Sequence, residues 1–150
     1  MLQYVFRVFF LKFFVKSGCI PLLNRVYYTR GNVMNRTFVE LPIFISRWKA
    51  LGLTDSDLSR LQMELLANPK LGVVMRETGG IRKMRFAFED RGKSGSARVI
   101  YVDFEVHEKI YLITAYQKNV KENLSESERN ELRQMVKILE RQLSENKKGE

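Results

Sequence analysis

Around residues 83–88 polar and apolar side chains alternate, with Met84, Phe86 and Phe88 set against Lys83, Arg85 and Ala87. Period two belongs to a strand, whose side chains point to opposite faces. The apolar set is therefore expected to enter a core while Lys83 and Arg85 stand together on the other face. A loop over Glu89 to Ser96 carries Arg91 and Lys93 among Gly and Ser. A second strand opens at Arg98 and runs through Val99, Ile100, Tyr101 and Val102 to Phe104. The third, Ile110 to Tyr116, is nearly all apolar, which predicts a central strand covered on both faces; it ends beside Gln117, Lys118 and Asn119. Strands joined by short connections tend to pair. Lys83, Arg85, Arg98 and Lys118 are therefore expected to converge on one concave, positive site.

Upstream the period changes. Asn35 to Glu40 reads as an edge strand. Pro42 suits a first helical turn, Phe44, Trp48 and Leu51 recur at helical spacing, and Gly52 is placed as a C-terminal cap. A second helix starts at Thr54, with Asp57 three residues on as a capping-box analogue. Leu58, Leu61, Leu65 and Leu66 form its buried stripe, and Asn68-Pro69 ends it. Residues 70–80 read as a loop, whose Gly79-Gly80 pair is too short to mark a phosphate cradle. After the strands, Ser125 and Glu128 make a capping box. Leu132, Met135, Val136, Leu139 and Leu143 then repeat as in a docked amphipathic helix. Residues 144–150 are polar and expected to fray. The order predicts an α+β domain, β-α-α-β-β-β-α: a small antiparallel sheet with two N-terminal helices and a C-terminal helix.

Residues 1–33 differ. They are rich in aromatic and aliphatic side chains, yet Arg7, Lys12 and Lys16 interrupt the run, and no acid precedes Glu40. A membrane-spanning helix needs roughly 20 apolar residues with few charges, and a signal peptide needs an uninterrupted apolar stretch after its charges. Neither fits, so no stable membrane insertion is expected. The expected organisation is an N-terminal extension outside the fold (1–33), translated from an upstream start codon, a domain over 34–143, and a polar tail (144–150).

Charge narrows the function. Lys and Arg number 26 against 17 Asp and Glu, a net charge of +9, which points to a polyanionic partner. The single cysteine, Cys19, excludes an intrachain disulfide framework. With one histidine, His107, there is no Cys/His set of zinc spacing, and no metal or cofactor is expected. His107 lies in the turn between the second and third strands and reads as an exposed turn residue.

RNA cleavage by its own 2′-hydroxyl needs a base for that oxygen, a counter-charge for the phosphorane-like state and an acid for the leaving 5′-oxygen. Lysine serves where histidine is missing, since like charges packed together depress its pKa. Lys83 beside Arg85 and Arg98 is such a setting. Arg98 suits a phosphate clamp, Lys118 a proton donor or second clamp, and Tyr116 a base-stacking ring or an aid to proton transfer. Arg82, Arg91 and Lys93 are the expected RNA-binding cations around them. The same alternation suits a half-exposed strand of any basic protein, and spacing alone leaves catalysis and generic nucleic-acid binding both open.

The segment GGIRKMRFAFEDRGKSGSARVIYVDFEVHEKIYLITAYQKNV resembles the RelE/HigB toxins of bacterial type II toxin–antitoxin pairs, and the HigB-like branch most. Its marks are the GG-x-RK-x-R strand, the Gly- and Lys-containing loop, the R-V-IY strand and the Y-L-x-T-x-Y-x-KN ending, with LQMELLANPKLG similar to that branch's second helix and loop. The resemblance covers about 34–143. It implies a RelE-like fold and a metal-independent endoribonuclease that cleaves mRNA, commonly in the ribosomal A site. It implies a HigA-type helix-turn-helix antitoxin, operator DNA reached only through the antitoxin complex, and a cytoplasmic setting. By position it carries catalytic roles to Lys83, Arg85, Arg98, Lys118 and Tyr116. A ParE-like gyrase inhibitor shares the fold but commonly lacks this basic set; a non-enzymatic nucleic-acid-binding domain is the further alternative.

Overall fold

A computed structural model describes residues 25–27, 36–89, 95–118 and 124–149. Its strands are β1 (Arg25–Tyr27), β2 (Arg36–Glu40), β3 (Val73–Val74), β4 (Arg82–Ala87), β5 (Ser96–Phe104) and β6 (Lys109–Gln117). Its α-helices are α1 (Pro42–Ala50), α2 (Asp55–Ala67) and α3 (Glu126–Lys148). The strands form one sheet in the order β1-β2-β6-β5-β4-β3. The chain runs up β2 and crosses the sheet through α1 and α2 to the opposite edge. It then returns by the β3-β4-β5-β6 meander.

The expected α+β class holds, with three differences in the sheet. It is not purely antiparallel, because β2 pairs parallel with β6 (Phe38 with Ile110, Val39 with Tyr111), while every other pairing is antiparallel. Nor is β2 an edge: β1 lies outside it, so the sheet takes in three residues of the stretch expected to lie beyond the domain. A two-residue strand, β3, stands where a loop was expected and closes the other edge. The helix α3 also runs five residues past Leu143 to Lys148, into the segment expected to fray.

Local signals start the helices as expected. Pro42 opens α1, and Gly52 follows its C-cap with φ +72°, a left-handed conformation that suits glycine. Thr54 caps α2: its hydroxyl accepts from the Asp57 N–H and its own N–H donates to Asp57 Oδ2 at 2.8 Å. That backbone hydrogen bond, with others from the Thr54 hydroxyl and Arg60, holds the Asp57 carboxyl below the usual range despite partial burial. Ser125 and Glu128 make the same box for α3.

Two cores sit on the two faces. Beneath α1 and α2 lie Phe38, Met84, Phe86, Ala97, Val99, Tyr101, Ile110, Leu112 and Ala115, packed with Phe44, Trp48, Leu58, Leu61 and Leu65. Beneath α3 lie Val39, Ile81, Ile100, Val102, Phe104, Tyr111, Ile113 and Tyr116, packed with Leu132, Met135, Val136, Leu139 and Leu143. Both faces of β6 are thus covered, as its apolar sequence predicts.

Polar staples fix the layers. Tyr101, fully buried, donates its hydroxyl to Pro69 O (2.9 Å) and accepts from Gly72 N–H (2.8 Å). Burial pushes its pKa up. A Cβ on Gly72 would lie 2.9 Å from the Tyr101 ring and 3.0 Å from Lys83 O, so the close approach requires glycine. Arg36 on β2 reaches Asp103 on β5 in a buried ion pair at 2.9 Å. Arg133 donates from Nε to Glu77 O, and Arg129 Nε lies 3.2 Å from the Glu77 carboxylate, tying α3 to the turn before β4. Among the described residues no helix is long and apolar enough to cross a membrane.

Candidate functional site

Register decides what the cations can do together. In antiparallel strands directly opposed residues point to the same face, with Cβ atoms about 4.5–5.5 Å apart. Arg85 is opposite Arg98, and Arg98 is opposite Tyr116, so the three form one row across β4, β5 and β6. Lys83 is opposite Ile100, two residues along β4 on the same face. Since Ile100 and Tyr116 belong to the α3-side core, this is the α3 face. The cations lie at the end where the apolar core gives way: Arg98 and Lys83 are half-buried and Arg85 is exposed.

A bulge completes the row. Between β5 and β6 the register shifts, with Tyr101 opposite Leu112 but Ile100 opposite Thr114, which makes Ile113 an extra residue on β6. Strict alternation would put Tyr116 on the face of Ile110 and Leu112, under α1 and α2. The extra residue reverses the parity beyond it, so Ala115 joins that core and Tyr116 comes beside Arg98. Bulges re-aim side chains in this way.

Lys118 follows Gln117, the partner of Ala97, and is exposed just past the end of β6. Lys83 and Lys118 therefore flank the Arg85–Arg98 row on opposite sides along the strands. Like charges directly opposed across strands are destabilising, so an Arg85–Arg98 pair favours an anion between its guanidinium groups. Planar five-donor forks match phosphate oxygens.

The remaining expected residues divide. Tyr116 is only 9% exposed and belongs to the α3-side core, opposite Arg98 on β5. Arg82 does not join the site. It shares the opposite face with Tyr101, its register partner, and its guanidinium donates to Gly72 O at 2.8 Å and to Lys70 O at 3.4 Å. Arg91 and Lys93 lie outside the described residues. His107 is in a turn, half-buried rather than exposed, beyond the C-terminal end of β5, while Arg98 is near the other end.

One neighbouring row is not marked in the sequence. Ala87 is opposite Ser96, on the same face as Arg85 and Arg98, with Ala87 exposed and Ser96 buried. A serine at the end of a Gly/Ser loop carries no local signature, and only the pairing reveals it.

Among the described residues no cluster of three or more His, Cys, Asp or Glu is placed to hold a metal ion. The site's charged groups are cations that attract a polyanion. A family model for the RelE toxin of the RelE/RelB toxin–antitoxin system matches residues 45–148, from within α1 to the last residue of α3, and includes every cation of the site. That match spans well over half of the 150 residues, and with the α+β fold around a cationic row, the chain belongs to the RelE toxin family.

Proposed function

We propose that this chain is an mRNA interferase: an endoribonuclease that cleaves mRNA in the ribosomal A site, inhibits translation and is neutralised by a cognate antitoxin. The observation that carries the reading is the Arg85–Arg98 row with a lysine on each side. In phosphoryl transfer the attacking and leaving oxygens lie roughly in line, so base and acid belong on opposite sides of the phosphorus. Lys83 and Lys118 have that disposition relative to the arginines.

In this mechanism Arg98 clamps the scissile phosphate and Arg85 adds counter-charge as the phosphorane-like state forms. Lys83 takes the proton of the 2′-hydroxyl, whose oxygen attacks phosphorus. The P–O5′ bond breaks and Lys118 protonates the leaving oxygen, giving a 2′,3′-cyclic phosphate and a 5′-hydroxyl. The cations supply the charge stabilisation that a metal would otherwise provide, so the reaction is proposed to be metal-independent. The partner is proposed to be a HigA-like helix-turn-helix antitoxin that alone contacts operator DNA, with the pair acting in the cytoplasm.

The test is induced expression followed by mapping of mRNA 5′ ends. New ends at codon boundaries, absent with Arg98→Ala, are expected. Intact mRNA together with arrested gyrase complexes would overturn the reading in favour of a ParE-like activity.

A further inference from the structure

We propose that β3 is the docking edge for the antitoxin, which adds an extended, acidic segment there as a further strand and sets a carboxylate against Lys83; the inhibitory consequence rests on the ribonuclease reading above. β3 is the last strand at this side of the sheet, and among the described residues nothing pairs beyond it. Met75 N–H donates to Ile81 O at 2.8 Å, one pair past Val74–Arg82. Hydrogen-bonded and non-hydrogen-bonded pairs alternate in an antiparallel ladder, so Val74 turns its own N–H and C=O to the open side. The side chains there are apolar and uncovered: Val73 is 75% exposed, Val74 47% and Leu71 47%. An open backbone edge lined by valines is a template for an added peptide strand.

Charge selects the partner. Directly behind the edge stand Lys83, opposite Val73, and Arg82, opposite Val74, and the exposed Arg76 follows the strand. The acids nearby are engaged, Glu77 with Arg129 and Glu105 with Lys70, each at 3.2 Å. A second copy of this chain would bring the same cations against these, and like charges across strands are destabilising. RNA gains nothing from bare valines or a peptide ladder. An acidic peptide answers both the ladder and the charge. Directly opposed residues share a face, so Val73 lies on the face of Lys83, Arg85 and Arg98. A residue of the added strand opposite Val73 falls on that face too, two strand spacings or about 10 Å from Lys83, a gap that a glutamate and a lysine side chain close between them. Its carboxylate holds Lys83 protonated and so denies the reaction its base.

The probe is a synthetic peptide alternating valine and glutamate, with its valine–lysine counterpart as control. Binding to the full chain is read by calorimetry, amide exchange by NMR, and cleavage on programmed ribosomes. The acidic peptide is expected to bind, to protect the Val74 amide and to slow cleavage, and the lysine peptide to do none of these. Raising the salt concentration should weaken binding. Val74→Pro removes the outward N–H but no β4 ladder bond. It should bind the acidic peptide roughly tenfold more weakly, the size of one lost hydrogen bond, and cleave as the unmodified chain does. Should Val74→Pro not fold, Val73→Glu, at an exposed position, tests the same edge by charge and should also weaken binding. No binding, equal binding of both peptides, or binding without protection at Val74 would overturn the proposal. So would self-association that Val74→Pro abolishes, which assigns the edge to a second copy, or weaker RNA binding by that variant, which assigns it to RNA. A peptide held at Val74 that leaves cleavage unslowed would overturn the masking of Lys83. A chain that binds at Val74 but cuts no mRNA would end the ribonuclease reading and leave the docking edge standing.

Discussion

The two faces of the β4–β5–β6 meander are built from alternate residues of the same three strands, yet they do different work. On the α1/α2 side Met84, Phe86, Val99, Tyr101, Ile110 and Leu112 are all buried, and each apolar residue meets another. On the α3 side the apolar run stops short, and Arg85 and Arg98 stand where further core would be. One face maximises burial; the other gives up burial and accepts opposed like charges. The comparison teaches that stability and ligand binding are divided by side-chain parity, so substitutions one residue apart should fail in different ways.

The sharpest contrast uses neighbours on β4 and β5. Phe86 is fully buried, and the Arg60 guanidinium stacks 4.0 Å from its ring centroid. Phe86→Ala is expected to cost about 3–5 kcal/mol of folding stability, read by denaturant unfolding. Arg98→Ala should leave the unfolding midpoint close to that of the unmodified chain while lowering the cleavage rate on the order of 10²–10³. If Arg98→Ala unfolds the chain, or Phe86→Ala spares it, the division by face is wrong.

The stable face carries one flaw. Gln62 on α2 is completely buried, and neither amide atom has a hydrogen-bond partner. Gln62→Met keeps the length and removes the unpaired groups, and should stabilise the chain by about 1–3 kcal/mol with cleavage unchanged. A loss of stability would show that the amide is satisfied in solution.

The smallest expected effect is at the α2 cap. Asp57 has a folded pKa below its ordinary value, chiefly because it accepts the Thr54 backbone N–H. Its contribution is therefore present above the ordinary carboxylate range and fades as pH falls through the lowered folded value. Asp57→Asn should flatten the acid limb of a stability profile, below the ordinary carboxylate range, and leave the profile at neutral pH nearly parallel to that of the unmodified chain. Thr54→Ala should cost about 1 kcal/mol at neutral pH.

Much of this was legible along the chain because it is set within a few residues. Alternation over 83–88 placed Lys83 and Arg85 on one face, a consequence of strand geometry alone. The caps at Thr54 and Ser125 are contacts three residues apart. The apolar run of β6 announced a strand covered on both sides.

The rest depends on pairing between distant segments, for which a linear pattern holds no register. The extra residue at Ile113 sets which face Tyr116 occupies, and it exists only relative to β5. Arg82 reads as one more cation beside Lys83, but parity and two loop carbonyls take it to the other face. The parallel pairing of β2 with β6 and the Arg36–Asp103 ion pair, 67 residues apart, follow from the crossover through α1 and α2. Local sequence chose the elements through short-range sterics and hydrogen bonds. The site itself came from register, where long-range pairing and burial determine which side chains meet.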